Sequence, residues 1–235
     1  GRNCSWLCVA RRRKALADYG VIFDMDGVLV DSAAAHFESW KRVATERGAG
    51  PISEAQFKAT FGGRNSEIIA SWFGETDPER AKAIGHRKEE IYREIIRGNV
   101  QPMPGATKLI ARLRRDGARL AIGSSGPPEN IAMICEAMAI ADVFDAIVTG
   151  ADVRRGKPEP EVFLLAAEKM GVTPARAVVV EDAPLGVEAA NRAGMKCVGL
   201  TSSHPAEALA GADWIVASLD EVSTGRLYAL IGCRA

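Results

Sequence analysis

The stretch VIFDMDGV at residues 21–28 joins a short apolar run to two acidic residues. An apolar run of this length, without polar alternation, predicts a strand buried on both faces of a sheet. Asp24 and Asp26 follow it, at the edge where open α/β sheets bind their ligands. Gly27 permits a sharp turn there, because it tolerates positive φ. Two carboxylates this close repel each other, so their presence indicates a bound cation or a catalytic role. The alternative interpretation is a strand end capped by turn-forming Asp and Gly.

Similar apolar runs recur along the chain, separated by stretches with helical character. The runs lie at residues 120–122, 146–148, 177–180, 197–200 and 214–216. The helical stretches lie at residues 105–116, 128–138, 160–170 and 184–193. This alternation predicts an α/β fold, a Rossmann-like parallel sheet with helices on both faces.

One long stretch after the first strand breaks this alternation, because it contains helical segments and no convincing strand. The segments lie at residues 33–47, 53–60, 65–73 and 78–97. We expect a small all-helical cap domain inserted after strand one. The predicted organisation is an extension at 1–18, an α/β core at 19–32 and 101–235, and a helical cap at 33–100.

The composition is that of an ordinary globular protein. Of the 235 residues 47% are hydrophobic, and 30 basic residues balance 30 acidic ones, so no global charge draws the chain to nucleic acid or an anionic membrane. No segment reaches the ~20 apolar residues of a membrane span. The five cysteines lack metal-site spacing, which favours reduced thiols and a cytoplasmic location. The basic run at 11–14 is expected to be a solvated cluster.

Three further signals fall at strand ends or helix starts. Ser124 ends one apolar run, Lys157 precedes a helix start, and Glu181 and Asp182 follow another run. Each alone would be an ordinary loop, turn or strand end. Together with the first acidic pair they supply what phosphoryl transfer requires: a nucleophile, an acid/base, oxygens for a divalent cation and donors for phosphate. Magnesium is the natural cation for a few carboxylates plus a substrate phosphate.

In order and spacing these motifs resemble those of the haloacid dehalogenase (HAD) superfamily, over about residues 19–220. The matching positions are Asp24, Asp26, Gly27, Val28, Ser124, Lys157, Glu181 and Asp182. The helical insertion resembles the cap of the subgroup that contains β-phosphoglucomutase and many small-metabolite phosphatases.

The resemblance implies a covalent mechanism. Asp24 would attack phosphorus and form an aspartyl-phosphate. Asp26 would protonate the leaving oxygen and then deprotonate the next nucleophile. Ser124 and Lys157 would hold the phosphoryl oxygens and offset their charge.

The same resemblance implies the Mg²⁺ ligands. These would be the Asp24 carboxylate, the backbone carbonyl of Asp26 and the Asp182 carboxylate. Glu181 would support the ion directly or through water.

Substrate contacts are expected mainly from the insertion and from the serine motif. The expected residues are Gly27, His36, Arg64, Ser125 and Asn130. For His36 the alternative is a surface or hinge histidine, and for Arg64 a residue of a first helical turn. The mutase pattern continues its serine motif with a Lys-Asn pair, whereas residues 124–130 read SSGPPEN, without lysine. That departure favours a phosphatase.

The sequence therefore predicts a magnesium-dependent phosphatase for a small phosphorylated metabolite, with a sugar phosphate first among the substrates. A β-phosphoglucomutase-like mutase is the first alternative, and a non-catalytic phospho-acceptor or binding module the second. Dehalogenation fits the two acidic pairs less well. The expected partner is a small-molecule phosphate ester, and the expected state is a monomer or small homo-oligomer.

Overall fold

The computed structural model describes residues 19–232. The predicted extension at 1–18 lies outside the described residues. The strands are β1 (Gly20–Phe23), β2 (Arg119–Gly123), β3 (Ala146–Val148), β4 (Ala177–Glu181), β5 (Lys196–Leu200) and β6 (Trp214–Val216). The described helices are α1 (Ala33–Glu46), α2 (Glu54–Thr60), α3 (Asn65–Phe73), α4 (Pro78–Ile96), α5 (Ala106–Asp116), α6 (Pro128–Ala137), α7 (Glu161–Met170), α8 (Pro184–Arg192) and α9 (Thr224–Leu230).

The six strands form one parallel sheet in the order β3-β2-β1-β4-β5-β6. β1 is central: Gly20 pairs with Arg119 of β2 on one side and with Ala177 of β4 on the other. All four residues of β1 are buried, as its continuous apolar sequence predicts. The predicted α/β fold is confirmed.

Helices cover both faces of the sheet, and successive side chains of β1 enter different cores. Val21 and Phe23 belong to a cluster that includes residues of α5, α6 and α9. Ile22 points into a second cluster, built with residues of α7 and α8. The period-two alternation of side chains along a strand therefore divides one apolar run between two cores.

The insertion after β1 is helical, as predicted, and comprises α1 to α4. These helices surround a core of their own, which includes Trp40, Phe57 and Ile69. Two antiparallel linkers join the insertion to the sheet: the Asp31 amide donates to the carbonyl of residue 101 and the amide of residue 103 donates to the Leu29 carbonyl, each at 2.9 Å. We refer to residues 33–100 as the cap; its boundaries as a separate domain stay a prediction.

Two details differ from the expected pattern. Glu181 ends β4 instead of following it, because its backbone pairs with Gly199 of β5. The helical stretch before Met170 begins at Glu161, with Pro160 as the N-cap. Among the described helices, none combines the length and the apolar character that a membrane crossing requires.

Candidate active site

The predicted chemical groups meet at the carboxyl edge of the sheet. Asp24 follows β1, Ser124 follows β2, Lys157 lies between β3 and α7, and Asp182 follows β4. All four side chains are buried and line one cavity of about 820 Å³ that opens beneath the cap. Parallel strands end at the same edge, so residues far apart in sequence are brought together.

Lys157 joins two of the carboxylates. Its Nζ atom lies 2.7 Å from Asp24 Oδ1 and 2.6 Å from Glu181 Oε1. Burial alone would lower the pKa of this ammonium, but the two carboxylates outweigh burial and raise the pKa. Lys157 therefore stays charged at the floor of the cavity, where it can offset the charge of an incoming phosphate.

Asp24 lies in a crowded acidic environment. Burial raises the pKa of Asp24 to about 7; Lys157 opposes this shift, and the charges of Glu181 and Asp26 add to it. A divalent cation beside the carboxylate would favour its ionised form. The protonation state of Asp24 would therefore depend on whether a cation is bound beside it.

Three carboxylates form a candidate metal site. Asp24, Glu181 and Asp182 each offer one oxygen, and these oxygens lie within 4.8 Å of one another. Burial, followed by the charges of Glu181 and Asp24, raises the pKa of Asp182 well above its usual value. Lys157 is the only ammonium in contact with this group among the described residues, so a net negative charge is left for a hard cation. The residues present therefore fit Mg²⁺.

Glu181 is held firmly by its neighbours. Its Oε2 atom accepts hydrogen bonds from the backbone amides of Asp182 and Ala183, at 2.6 and 2.8 Å, just before α8 begins. A Cβ atom on Gly186 would overlap the Glu181 carboxylate, so this helix position requires glycine. Because both oxygens of Glu181 are engaged, its support of a metal through water is the simpler of the two predicted arrangements.

Gly27 has a steric role beside the metal site. Its φ is +75°, which favours glycine, and a Cβ atom would overlap the Asp182 carboxylate. The Ser202 hydroxyl donates to the Gly27 carbonyl at 2.6 Å and holds the turn in place. Contact between Gly27 and substrate stays a prediction.

Asp26 faces the cap, not the carboxylate triad. Its Oδ1 atom accepts a hydrogen bond from Ser32 at 2.6 Å and lies 3.1 Å from His36 Nε2. Burial by itself would raise the pKa of Asp26, but His36 and Ser32 outweigh burial and lower the pKa to about 2. The Asp26 side chain is thus held in one orientation, and its role in proton transfer stays a prediction. Its predicted metal contact rests on the backbone carbonyl alone.

A buried lysine orients His36. Lys88 of α4 places Nζ 2.6 Å from His36 Nδ1 and 2.9 Å from Glu89 Oε1. Because the ammonium can only donate, Nδ1 accepts and Nε2 carries the proton that points to Asp26. His36 also stacks on Tyr92, with ring centroids 3.9 Å apart. His36 is therefore an element of the site and not a surface histidine.

Glu89 connects the cap with the sheet domain. It accepts hydrogen bonds from Asn65 and from Asn130, both at 2.7 Å, in addition to that from Lys88. Asn130 in turn accepts from Arg93 at 2.8 Å. The amide of Asn130 is thus engaged by two cap residues, and its predicted contact with substrate stays a prediction.

Lys88, Glu89 and Arg93 were not predicted from the sequence. They lie in the stretch RKEEIYR at residues 87–93, a charge pattern typical of a solvent-facing helix. The side chains of Lys88 and Glu89 are only 3% and 9% exposed. A signal was present in the apolar neighbours at positions 91, 92, 95 and 96, which place part of this helix against a core.

The remaining predicted residues line the same cavity. Arg64 and Ser125 are among its lining residues, and Arg64 Nη2 donates to the Arg154 carbonyl at 3.4 Å. The Ser124 hydroxyl accepts the Gly126 amide at 3.1 Å. The predicted roles of these side chains toward substrate are untested.

The site thus combines a strand-end aspartate in contact with a lysine, a buried acidic triad and a second aspartate that faces the cap. Residues 21–200 match the family model of haloacid dehalogenase-like hydrolases. The chain belongs to this family, and the predicted family and the enzyme class, a HAD-type phosphatase, are confirmed.

Three of the similar proteins match over most of their own length. The validoxylamine A 7'-phosphate phosphatase of Streptomyces hygroscopicus subsp. limoneus is 34% identical over 86% of this chain and 94% of its own. The β-phosphoglucomutase of Bacillus subtilis (strain 168) is 32% identical over 88% of this chain and 93% of its own. A HAD hydrolase of family IA, variant 3, from Entamoeba histolytica HM-1:IMSS superposes with a TM-score of 0.84, at 25% identity, covering 91% and 99% of the two chains.

Proposed function

We propose that this protein is a magnesium-dependent phosphatase that hydrolyses a small phosphorylated metabolite, a sugar phosphate, through an aspartyl-phosphate on Asp24. The observation that carries the proposal is the position of Asp24, which contacts Lys157 and shares a metal-sized group of oxygens with Glu181 and Asp182. When bound, Mg²⁺ would offset the charge of the phosphoryl oxygens. The cavity above these groups supplies the space for a phosphate ester.

In the first half-reaction a carboxylate oxygen of Asp24 bonds to phosphorus and the ester P–O bond breaks. The leaving oxygen needs a proton, and Asp26 is the carboxyl beside Asp24 that is directed to the cap. The pKa of Asp26 is lowered to about 2, so Asp26 is ionised before substrate binds. The negative charge of a bound phosphate would raise this pKa and let Asp26 carry the proton that it donates to the leaving oxygen. Lys157 stabilises the charge that develops on the phosphoryl group.

In the second half-reaction water attacks the phosphorus of the aspartyl-phosphate. Ionised Asp26 accepts the proton of that water, and the Asp24–phosphorus bond breaks to release phosphate. His36, held by Lys88, keeps its Nε2 proton directed at Asp26 and so fixes the orientation of the base. Each proton taken up in one half-reaction is released in the other.

Transfer to a sugar hydroxyl, as in a mutase, is the alternative, and the similarity to the Bacillus subtilis β-phosphoglucomutase favours it. The serine motif favours water instead, because residues 124–130 lack the lysine of the mutase pattern. The similarity to a relative named as a phosphatase supports the same choice. A passive phospho-acceptor would need neither Asp26 nor a cap.

The experiment is phosphate release from a panel of sugar phosphates and other small phosphoesters with Mg²⁺. Asp24→Asn is the blank, and Asp31→Asn, an exposed acid in the linker, is the matched control. Metal-dependent release by the wild type and by Asp31→Asn, with none by Asp24→Asn, supports the proposal. Negligible release, together with conversion of β-glucose 1-phosphate in the presence of a bisphosphate primer, would replace it with the mutase.

A further inference from the structure

The loop after β5, residues 201–205, passes the end of β4 beside the candidate metal site. Glu181, the last residue of β4, pairs with Gly199 of β5, so the chain that leaves β5 runs alongside Asp182. Residues 202–204 lie outside helices and strands, and within the described chain they take part in no backbone–backbone hydrogen bond. The loop is therefore held by its flanking residues and by its own side chains, which are two hydroxyls and an imidazole in the sequence SSH.

The imidazole of His204 holds the backbone of Asp182. His204 Nδ1 lies 3.0 Å from the Asp182 carbonyl oxygen. Because a carbonyl oxygen can only accept, Nδ1 carries the proton of this hydrogen bond. The Asp182 amide in turn donates to Glu181 Oε2 at 2.6 Å. The peptide groups on both sides of Asp182 are thus fixed, which limits the directions in which its carboxylate can point.

The two serines act on the Asp182 carboxylate and on the turn beside it. The Ser202 hydroxyl donates to the Gly27 carbonyl at 2.6 Å, and it lies 3.4 Å from Asp182 Oδ2. Burial raises the pKa of Asp182, whereas a hydrogen bond from the Ser203 hydroxyl opposes that shift because it favours the carboxylate. Asp26, whose backbone carbonyl is a predicted metal ligand, directly precedes Gly27 in this turn.

The loop contacts the site from outside the cavity. The residues that line the cavity include Asp182, but not the described residues 202–204. A substrate bound in the cavity would therefore not touch these three side chains, and their effect on the reaction would pass through the groups that they hold. Those groups carry two of the predicted Mg²⁺ ligands. Side chains that orient metal ligands in this way typically change metal affinity by about 10–100-fold when they are removed.

We propose that the side chains of residues 202–204 are positioning residues of the Mg²⁺ site, and that they increase its affinity by fixing Asp182 and the turn that carries the Asp26 carbonyl. This inference rests on the proposed magnesium-dependent function and deepens it, because it assigns a role to the loop after β5. Without these contacts, Asp182 would have to be ordered when the ion binds, and that cost would weaken binding.

The test is the dissociation constant for Mg²⁺, obtained from thermal unfolding of the metal-stripped protein over a range of Mg²⁺ concentrations. We expect the double variant Ser202→Ala/Ser203→Ala and the single variant His204→Ala each to weaken Mg²⁺ binding by about tenfold or more. In the presence of a chelator, the unfolding temperatures of both variants should stay within a few degrees of the wild type. The serine and histidine variants are independent, so the test stands if one of them fails to fold.

Ser223→Ala is the control for a hydroxyl with a structural role. The Ser223 side chain accepts the Arg226 amide at the start of α9. Its removal should lower the unfolding temperature in the chelator, as the loss of a helix cap does, and should leave the Mg²⁺ dissociation constant within about twofold of the wild type. An equal weakening of Mg²⁺ binding in Ser223→Ala would overturn the inference.

The measurement needs no substrate, so its result is separate from that of the phosphatase assay. Weaker Mg²⁺ binding in the loop variants, without phosphate release from any ester by the wild type, would retain the role of the loop and reject the phosphatase. Mg²⁺ binding within about threefold of the wild type in the loop variants would overturn the inference, even if the wild type releases phosphate. A wild type whose unfolding does not respond to Mg²⁺ would overturn it as well.

Discussion

At the residue scale, the charge of Asp24 depends on its surroundings more than on its own chemistry. Lys157 stabilises the anion, while burial and the carboxylates of Glu181 and Asp26 oppose it. Replacing the carboxylate with an amide relieves the repulsion and still leaves an acceptor for Lys157. Replacing Asp24 with asparagine should therefore affect activity strongly and stability little.

Asp24→Asn should abolish turnover while leaving the fold intact. An amide cannot form the acyl-phosphate bond, so we expect phosphate release to fall by at least ~10⁴-fold. Circular dichroism and a thermal unfolding curve should match the wild type within a few degrees. Full activity in a preparation free of wild-type enzyme would show that another residue is the nucleophile.

The sequence indicated the residues at strand ends better than those that meet across the cap. Asp24, Lys157 and Asp182 could be predicted because each follows or precedes a regular element whose end lies at the sheet edge. Lys88 and Glu89 were missed, because the apolar neighbours indicate only that the helix meets a core, whereas the burial of these two charges depends on partners distant in sequence, such as His36 and Asn130. Asn130 was predicted for a substrate contact, and its observed partners are cap residues.

At the scale of elements, one carboxylate connects three helices, α3, α4 and α6. Glu89 of α4 accepts hydrogen bonds from Asn65 at the start of α3 and from Asn130 on α6. Because both amides donate to it, a neutral side chain at this position cannot satisfy the same partners. The contact between cap and sheet therefore depends on one buried charge.

Glu89→Gln should destabilise the protein by about 3 kcal/mol, because it leaves the buried Lys88 ammonium without its anion. The same variant should raise KM, because the cap, including α3, is then held less firmly over the cavity. Urea unfolding and steady-state kinetics measure the two effects. Glu90→Gln, a neighbour whose side chain is 41% exposed, is the control and should change stability by less than about 1 kcal/mol. A Glu89→Gln protein as stable as this control would contradict the prediction.

A half-buried carboxylate, Asp145, directly precedes β3 at the edge of the sheet opposite the site. Asp145 accepts the Leu120 backbone amide at 2.9 Å and contacts Arg119 and Arg114, both at 2.9 Å. Burial would raise the pKa of Asp145, but the Leu120 amide and the two arginines outweigh burial and lower it below 3.8. Its stabilising effect is therefore complete above that ordinary value.

Asp145→Asn should destabilise the protein by about 1–2 kcal/mol at neutral pH. A lowered folded-state pKa means that the unfolded state binds the proton more tightly, so the contribution is lost as the pH falls from 3.8 through the folded value. Urea unfolding of the wild type and the variant across this range should show the two curves converging in acid. A difference that is independent of pH would indicate that packing, not charge, carries the effect.

The strands and helices were predicted well, because the spacing of apolar residues along the chain indicates which side chains are buried. The continuous apolar run of β1 indicated a strand covered on both faces, and that is what the two core clusters show. The end of β4 was misjudged by one residue. Glu181 looks like a solvated strand end in sequence, and only pairing with Gly199 and the contact with Lys157 keep it in the sheet.

For the whole molecule, the acidic triad predicts that a bound cation stabilises the fold. At Mg²⁺ one hundred times its dissociation constant, stability should rise by about 2.7 kcal/mol and fall again with a chelator. Asp182→Asn should abolish this increase, while Asp31→Asn should retain it. Thermal unfolding with and without Mg²⁺ is the measurement. An equal increase in Asp182→Asn would place the cation elsewhere.

The central position of β1 has a consequence for folding of the chain during its synthesis. β1 is the first described strand, yet its two sheet neighbours begin at Arg119 and Ala177, and the Asp24 amide is held by the Val180 carbonyl. At about 5–20 residues per second, a ribosome needs roughly 8–30 s to travel from Asp24 to Val180. The nascent strand lacks both partners until β2 has been made, and it lacks β4 until the end of the interval, so its edges are exposed to aggregation and to chaperones. Catalytic competence therefore arrives late, because Glu181 and Asp182 join Asp24 only when β4 pairs with β1.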